Sequence, residues 1–242
     1  MAAVTSFVVN ENDLEPVREG DDTATVRVAF DAANGCERLE QRVISFGPGK
    51  SAERKLTGQQ EVMYIVEGEG RLHLEGQTHE LAPNMGVFLA PGETYTVENT
   101  GSQDLRVLSV LAPEDRAEAA GERKVTVRFN DQPELEASVE RSFRYLVNED
   151  AGCFDVTQFM GIVQPSKAPF HSHTYDEVGY IVAGEGVAHV AGNEFPLQAG
   201  SCFHLPPDEV HCIENSGSGP MRILGVFHPS GSPANRTYQD NK

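Results

Sequence analysis

The feature of the sequence that most constrains the fold is an internal repeat. When the chain of 242 residues is aligned with itself at an offset of 116, residues 61–70 match residues 177–186 at eight of ten positions. Over 53 aligned positions the two copies share 22 identical residues, whereas composition alone would give roughly three. Upstream the offset becomes 117, which pairs Cys36 with Cys153. We therefore expect two copies of one fold in tandem.

The repeat also sets the expected domain limits. We predict a first domain over residues 1–113, a linker over residues 114–124 and a second domain over residues 125–242. The linker is rich in alanine and charged residues and lacks a core pattern, so at most a short helix is expected there.

Each copy is built from short runs of Val, Ile, Phe, Leu and Tyr. Gly, Pro, Asn or Asp interrupts these runs at intervals of about eight to twelve residues, which is typical of antiparallel strands joined by turns. About a hundred residues per copy would close a small barrel or sandwich, which also removes exposed sheet edges. The predicted fold class is all-β, with two similar domains. In the first copy we expect strands over residues 42–46, 62–66, 71–74, 87–89 and 105–111.

Composition excludes several classes of partner. The formal charge of −18 comes from 37 acidic and 19 basic residues, and it would repel phosphate backbones and anionic lipid headgroups. We therefore expect neither nucleic acid nor a membrane as a partner. No run approaches the roughly 18 apolar residues of a membrane helix, and the N-terminus shows no export signal. A soluble, cytoplasmic protein is expected.

Four residues of the second copy have the spacing of a metal site: His171, His173, Glu177 and His211. Side chains at positions i and i+2 of a strand point to the same face, so His171 and His173 can share one ion. A tight turn would bring Glu177 beside them, and the turn that contains Pro206 and Pro207 would direct His211 into the barrel.

Three imidazoles and one carboxylate leave one or two positions open on a six-coordinate ion. This donor set suits Fe, Mn, Ni, Co or Cu as well as Zn. We therefore predict one divalent metal ion in the C-terminal domain. Open positions make chemistry on a small molecule possible.

These residues also carry a resemblance to a known family. Residues 169–184, with two histidines, a glutamate and a glycine, resemble the first cupin signature, and residues 200–215 resemble the second. Asp208 stands where the family usually has glycine. The chain is thus similar to the bicupins, which implies two tandem small jelly-roll barrels. The resemblance also implies that His171, His173, Glu177 and His211 are the metal ligands, and that the protein is a homodimer.

The first copy lacks this donor set. Lys55 and Thr57 align with the two histidines, Tyr95 replaces the third, and Glu61 alone remains. We expect Glu61 to form a buried ion pair with Lys55, and the first domain to have a structural or dimerising role.

Some further candidates occur only in the second copy. His204 replaces Phe88, His228 replaces Ala112, and Tyr175 lies between the metal motif and its glutamate. We predict that His204, His228 and Tyr175 act as catalytic or substrate-contacting residues. The alternative for both histidines is a solvent-facing position at a strand end. His189, by contrast, has a counterpart in the first copy and is expected to be structural.

The predicted function is that of a metal-dependent enzyme acting on a small, oxygen-bearing organic molecule. The resemblance favours dioxygenase chemistry, as in cupins similar to quercetinase or acireductone dioxygenase. Alternatives are an isomerase, a decarboxylase or a hydrolase, since the ureidoglycine aminohydrolases resemble this layout but carry a different ligand set. A non-catalytic module that binds a small molecule is the remaining alternative.

Overall fold

The computed structural model describes residues 7–115, 123–235 and 237–238. Most of these residues form β-strands, and the described part of the chain contains no α-helix, only four single-turn 3-10 helices. The predicted all-β class is confirmed. Residues 116–122, which make up most of the predicted linker, lie outside the described residues.

We call residues 7–115 the first half and the described residues from 123 onward the second half. The first half contains eleven strands and two of the 3-10 helices, Glu11–Asp13 and Ala32–Asn34. The strands are β1 (Val8–Asn10), β2 (Ala24–Phe30), β3 (Glu40–Phe46), β4 (Gly49–Lys50), β5 (Arg54–Lys55), β6 (Gln59–Glu67), β7 (Gly70–Leu74), β8 (Gln77–Leu81), β9 (Met85–Leu89), β10 (Thr94–Asn99) and β11 (Leu105–Pro113).

The second half repeats this order with thirteen strands and the other two 3-10 helices, Phe129–Asp131 and Glu149–Ala151. The strands are β12 (Thr126–Arg128), β13 (Leu135–Ser138), β14 (Arg141–Val147), β15 (Thr157–Val163), β16 (Ser166–Lys167), β17 (His171–Ser172), β18 (Asp176–Ala183), β19 (Glu185–Val190), β20 (Asn193–Gln198), β21 (Ser201–Leu205), β22 (His211–Asn215), β23 (Met221–His228) and β24 (Thr237–Tyr238).

Each half is a barrel made of two sheets. In the first half, a sheet of order β12-β9-β6-β11-β3-β2 faces a sheet of order β4-β10-β7-β8, to which β5 adds by pairing with β10. In the second half, a sheet of order β1-β21-β18-β23-β15-β14-β13 faces a sheet of order β20-β19-β22-β17-β24, to which β16 adds by pairing with β22. All five strands predicted for the first copy lie within β3, β6, β7, β9 and β11.

The two halves exchange their first strands. β1 pairs with β21 of the second half, and β12 pairs with β9 of the first half. Residues 8–10 of the predicted first domain thus belong to the sheet of the second barrel, and residues 126–128 of the predicted second domain belong to the sheet of the first. Each exchanged strand covers an edge that would otherwise present unpaired backbone groups to solvent.

The side chains of the larger sheets are divided between the barrel interiors and the space between the barrels. Ile181 of β18 packs inside the second barrel, whereas Val178 and Tyr180 pack against Phe30 and Tyr64 of the first half. This division follows from the alternation of side chains along a strand. We call the packing between the two halves the interdomain layer. Burying one Val, Leu or Phe side chain there stabilises the fold by about 1.5–3 kcal/mol.

The two halves contain matching polar contacts at equivalent positions, as the sequence repeat predicts. The Asn99 side-chain amide donates to the Phe46 carbonyl at 2.7 Å, and Asn215 donates to the Val163 carbonyl at the same distance. His73 and His189 each place Nε2 2.8 Å from a glutamate carboxylate. None of the described helices has the length and apolar character needed to cross a bilayer.

Candidate metal centre

Two short strands bring the first histidine and the last one together. His171 in β17 and His211 at the start of β22 are direct partners across an antiparallel pair. Their ring centroids lie 4.5 Å apart, and the His211 ring lies 4.8 Å from that of His173. Two imidazoles that are close in the sequence and a third, 38 residues beyond His173, thus meet at one end of the second barrel.

The strand that follows adds the carboxylate. Glu177, the second residue of β18, places Oε2 2.9 Å from His173 Nε2. One ligand atom from each of His173, Glu177 and His211 lies within 4.8 Å of the other two. The side chains of His173 and Glu177 are almost completely buried. His171 is not part of this three-residue group, but its ring adjoins that of His211 at a centroid distance of 4.5 Å.

Hydrogen bonds orient the three imidazoles in the same way. The Nδ1 atoms of His171, His173 and His211 lie 2.8–2.9 Å from the carbonyl oxygens of Pro169, Tyr175 and Glu209, respectively. A carbonyl oxygen only accepts, so each Nδ1 carries the proton. In the neutral imidazole Nε2 then carries no proton, and this is the form that binds a metal.

The geometry fits a divalent ion. His173 Nε2 is buried and makes no hydrogen bond with any described residue, although Glu177 Oε2 is only 2.9 Å away. Two ligands bound at about 2.1 Å and at right angles on one ion have donor atoms about 3 Å apart. A buried nitrogen close to a carboxylate oxygen but misaligned with it is therefore what a metal site requires.

Above the four candidate ligands lies a narrow cavity of about 70 Å³ with apolar walls. We call it the aromatic pocket. Among the described residues that line it, the titratable side chains are the four candidate ligands, Tyr175 and Arg141. The other walls are formed by residues such as Phe143, Phe159, Phe203, Leu205, Ile213, Ile223 and Phe227.

Tyr175 forms part of this wall. Its ring stacks on the His173 ring with centroids 4.1 Å apart and planes at 13°, and it stacks on Phe227 with centroids 4.0 Å apart. Its hydroxyl points away, towards the carbonyls of Ser232 and Asn235 at 3.4 and 3.5 Å. The ring of Tyr175 thus fixes His173.

Comparison with known proteins gives the family of the whole chain. The model of the cupin domain matches twice, at residues 42–111 and 159–227, which together make up more than half of the chain. The chain belongs to the cupin family. Because each match covers one barrel, the chain is a bicupin.

Each of two curated relatives matches about a quarter of the chain. The oxalate-binding protein of Thermotoga maritima is 36% identical over 63 residues, which cover 26% of this chain and 52% of that protein. Auxin-binding protein 1 of Arabidopsis thaliana is 32% identical over 71 residues, which cover 26% of this chain and 36% of that protein. The alignments thus span about half or less of these relatives.

Solved structures match the whole bicupin. The putative glyoxylate-induced protein of Pseudomonas aeruginosa has a TM-score of 0.80 at 20% identity, covering 96% of this chain and 94% of that chain. Oxalate decarboxylase of Bacillus subtilis has a TM-score of 0.77 at 14% identity, covering 98% of this chain and 80% of that chain. These likenesses show the tandem arrangement of the barrels.

The first cupin domain differs from the alignment-based expectation at the position of the first histidine. In β5, Arg54 is the partner of Tyr95, and Lys55 is the partner of Thr94. A shift of one residue turns every side chain of a strand to the other face. Arg54 therefore takes the structural position of His171, and Lys55 is exposed. The expected Glu61–Lys55 ion pair is wrong.

Glu61 is instead bound by two hydroxyl groups. The Tyr95 hydroxyl donates to Glu61 Oε2 at 2.6 Å, and the Ser109 hydroxyl donates to Glu61 Oε1 at 2.5 Å. Burial raises the pKa of Glu61 above its ordinary value, although both hydroxyls favour the charged form. Both carboxylate oxygens are thus engaged by protein groups.

Gly225 in β23 corresponds to Ser109, and the lack of a side chain there shapes the second site. A Cβ atom on Gly225 would lie 2.3 Å from Phe159 Cε1 and 3.3 Å from Glu177 Oε1. The glycine therefore leaves room for the Phe159 ring. It also leaves Glu177 without an equivalent of the Ser109 hydroxyl, which donates to Glu61 in the first cupin domain. This exchange was visible in the aligned sequence, but its meaning depends on the strand facing inward.

The other two candidate catalytic residues lie on the opposite face of the sheet. His204 alternates with Phe203 and Leu205, which face the aromatic pocket, and its ring packs against Phe30 of the first half. His228 is next to Phe227 and faces the interdomain layer. Both histidines are buried, with 1% and 2% of their surface exposed, so neither is a solvent-facing residue at a strand end.

Proposed function

We propose that the second cupin domain is the catalytic centre of a metal-dependent enzyme. His171, His173, Glu177 and His211 hold one divalent ion, and a small organic molecule binds to its open positions through oxygen atoms. The observation that carries this proposal is the common orientation of the three imidazoles, each with Nδ1 bonded to a backbone carbonyl and Nε2 directed away from it. Surface histidines have no reason to share that arrangement.

The pocket walls favour oxygen chemistry over proton-transfer chemistry. Isomerisation and hydrolysis usually need a positioned side chain that moves a proton. Apart from the candidate ligands, Tyr175 and Arg141 are the titratable side chains among the described lining residues, and the Tyr175 hydroxyl points away from the cavity. A redox-active ion such as Fe(II), when bound, would bring O2 and an electron-rich chelating substrate together.

In a dioxygenase reaction both atoms of O2 enter the product, so no external reductant is needed. The protein then has three tasks. The three imidazoles and Glu177 supply the donor set, Phe159 and Phe227 exclude water from the reacting groups, and Tyr175 keeps His173 in place. Apolar walls also suit a substrate with a planar apolar part, such as a catechol or another enediol.

An oxygen electrode tests this function. Protein stripped of metal and reloaded anaerobically with Fe(II) is offered catechols, enediols and keto acids, and we expect oxygen uptake with at least one of them. His173→Ala should abolish the uptake, whereas Thr57→Ala, a change at the sequence-aligned position of the first domain, should not alter it. Absence of uptake with every substrate while the ion is bound would contradict the dioxygenase proposal.

A second candidate is the redox-neutral cleavage or binding of a small carboxylic acid. Two observations favour it: the relative named oxalate-binding protein and Arg141, a cationic residue that lines the aromatic pocket and donates from Nη2 to the Ile213 carbonyl. The Bacillus subtilis decarboxylase, similar in fold, has Mn(II) centres. The same preparation loaded with Mn(II) and offered dicarboxylates would then release carbon dioxide, or bind the acid without turnover, and take up no oxygen.

A further inference from the structure

A second group of ligand-type side chains lies in the interdomain layer, away from the aromatic pocket. Cys36 of the first half and Asp176 and His204 of the second half each place a ligand atom within 4.8 Å of the other two. Their exposed fractions are 1%, 5% and 1%. We call these three residues the interdomain cluster. It joins the two barrels, and no step proposed for the first site uses it.

The internal repeat supplies a matched comparison for this cluster. The positions equivalent to Cys36, Asp176 and His204 are Cys153, Gln60 and Phe88. In that copy, the Cys153 thiol donates to Gln60 Oε1 at 3.2 Å, and the cysteine needs no further partner. Both groups thus contain the cysteine. Only the group around Cys36 has a carboxylate and an imidazole where the group around Cys153 has an amide and a phenyl ring.

The imidazoles of His204 and His228 have ring nitrogens that make no hydrogen bond with any described residue. His204 Nε2 lies 2.7 Å from Asp176 Oδ1, but His204 Nδ1 is buried and has no hydrogen-bond partner among the described residues. His228 stands directly opposite Asp176 on the adjacent strand. Both its ring nitrogens are buried without a hydrogen bond to any described residue, although Nε2 approaches Asp115 at 3.5 Å. Buried polar groups left in this way are costly unless something else satisfies them.

We propose that Cys36, Asp176 and His204 bind a second divalent cation of the zinc class, with His228 as the candidate for the fourth position. Thiolate, imidazole and carboxylate are the ligands that zinc takes in four-coordinate structural sites. The cation would neutralise the buried Asp176 carboxylate and the Cys36 thiolate together. Because the ligands come from both halves, it would fix one barrel to the other.

This site is separate from the catalytic proposal. Asp176 and Glu177 are neighbours in sequence, but successive residues of a strand point to opposite faces, so the two sites lie on the two sides of one sheet. The interdomain cluster is enclosed by buried apolar residues such as Phe30, Leu39 and Val178. An ion there has no route to a substrate in the aromatic pocket and serves the fold.

Cobalt provides the test, because a Co(II) ion bound to a thiolate shows a sulfur-to-metal charge-transfer absorption in the near ultraviolet. Full-length protein is stripped with a chelator and titrated with Co(II). We expect that absorption in the unaltered protein and about two ions per chain at saturation. Cys36→Ser and His204→Phe should each abolish the absorption and leave about one ion per chain. Phenylalanine is chosen because Phe88 fills the equivalent position.

Matched controls separate this proposal from the first site. Cys153→Ser changes the equivalent cysteine and should leave the absorption intact. His173→Ala combined with His211→Ala should remove the other ion and also leave the absorption intact. The proposal is overturned if the unaltered protein, saturated with Co(II), shows no thiolate absorption, or if the absorption survives Cys36→Ser.

Discussion

The two cupin domains share a scaffold and differ at the centre of the barrel. Asn99 and Asn215 make the same backbone contacts, and His73 and His189 each bond a glutamate, so both copies fold by the same local rules. The two domains differ in the residues that surround the buried glutamate. Glu61 accepts hydrogen bonds from Tyr95 and Ser109, whereas the equivalent residues around Glu177 are His211 and Gly225.

This difference indicates that a metal site depends on the residues around its carboxylate as well as on its ligands. A carboxylate that accepts two hydroxyl donors is already satisfied, and it stays in place without an ion. The residues around Glu177 lack the hydroxyl that Ser109 supplies to Glu61, and they include imidazoles whose Nδ1 atoms bond backbone carbonyls. In the first domain both carboxylate oxygens of Glu61 accept hydrogen bonds from protein hydroxyls. In the second domain we propose that the Glu177 carboxylate binds a metal ion instead.

The largest effect that tests this contrast should come from removing one imidazole. We expect His173→Ala to lower the affinity for Fe(II) or Mn(II) by more than about 100-fold, because even outer residues around a metal contribute about 10–100-fold. Elemental analysis after dialysis measures the change. Thr57→Ala, at the sequence-aligned position of the first domain, is the control, and equal loss in both variants would break the comparison.

The next effect concerns the register of β5. A first domain with Arg54→His, Leu56→His and Tyr95→His should gain affinity for Co(II), because Arg54 is the partner of Tyr95 as His171 is of His211. Leu56 is chosen because its carbonyl accepts from the Gly92 N–H as that of His173 accepts from the Asp208 N–H. The control changes Lys55 to His instead of Arg54. Its affinity should be at least about tenfold weaker, because that side chain faces the other way. Equal affinities in isothermal titration would show that the register carries no such constraint.

A smaller effect is expected from the glycine that admits Phe159. Gly225→Ala should lower the free energy of unfolding by about 1–3 kcal/mol, because the added Cβ crowds the Phe159 ring. Urea denaturation measures it. Gly161→Ala is the control, since a Cβ there meets no atom closer than 3.6 Å. A destabilisation of the same size in both variants would mean that the strand, and not the ring, resists the change.

The smallest effect should be a pH dependence in the first domain. Burial raises the pKa of Glu61 above its ordinary value of 4.5. Its contribution to stability is therefore complete below that value and disappears as the pH rises through the higher pKa of the folded state. The protein should thus lose stability relative to Glu61→Gln as the pH increases, in urea denaturation across about pH 4–8. The exposed Glu69→Gln should show no such trend.

The sequence predicted the repeat, the all-β class and the tandem cupin barrels, because identities at a fixed offset and the alternation of apolar runs are local properties. It also named four residues that the fold brings together at one end of the second barrel. Their metal remains a proposal, as do the homodimer and the cytoplasmic location.

What the sequence could not give depends on three-dimensional neighbours. The partner of Tyr95 depends on strand register, and a shift of one residue makes that partner Arg54 instead of Lys55. The faces of His204 and His228 depend on strand phase, which places both histidines in the interdomain layer. The strand exchange was equally hidden, because a three-residue run such as β1 carries no mark of which barrel it joins.

Anomalous diffraction from crystals of the protein loaded with Co(II), recorded at the cobalt absorption edge, would locate the bound ion. We expect a peak at bonding distance, about 2.0–2.2 Å, from His171, His173, Glu177 and His211, and none beside Glu61. A saturated crystal with no peak among those four residues, or with a peak beside Glu61 of equal height, would contradict this expectation.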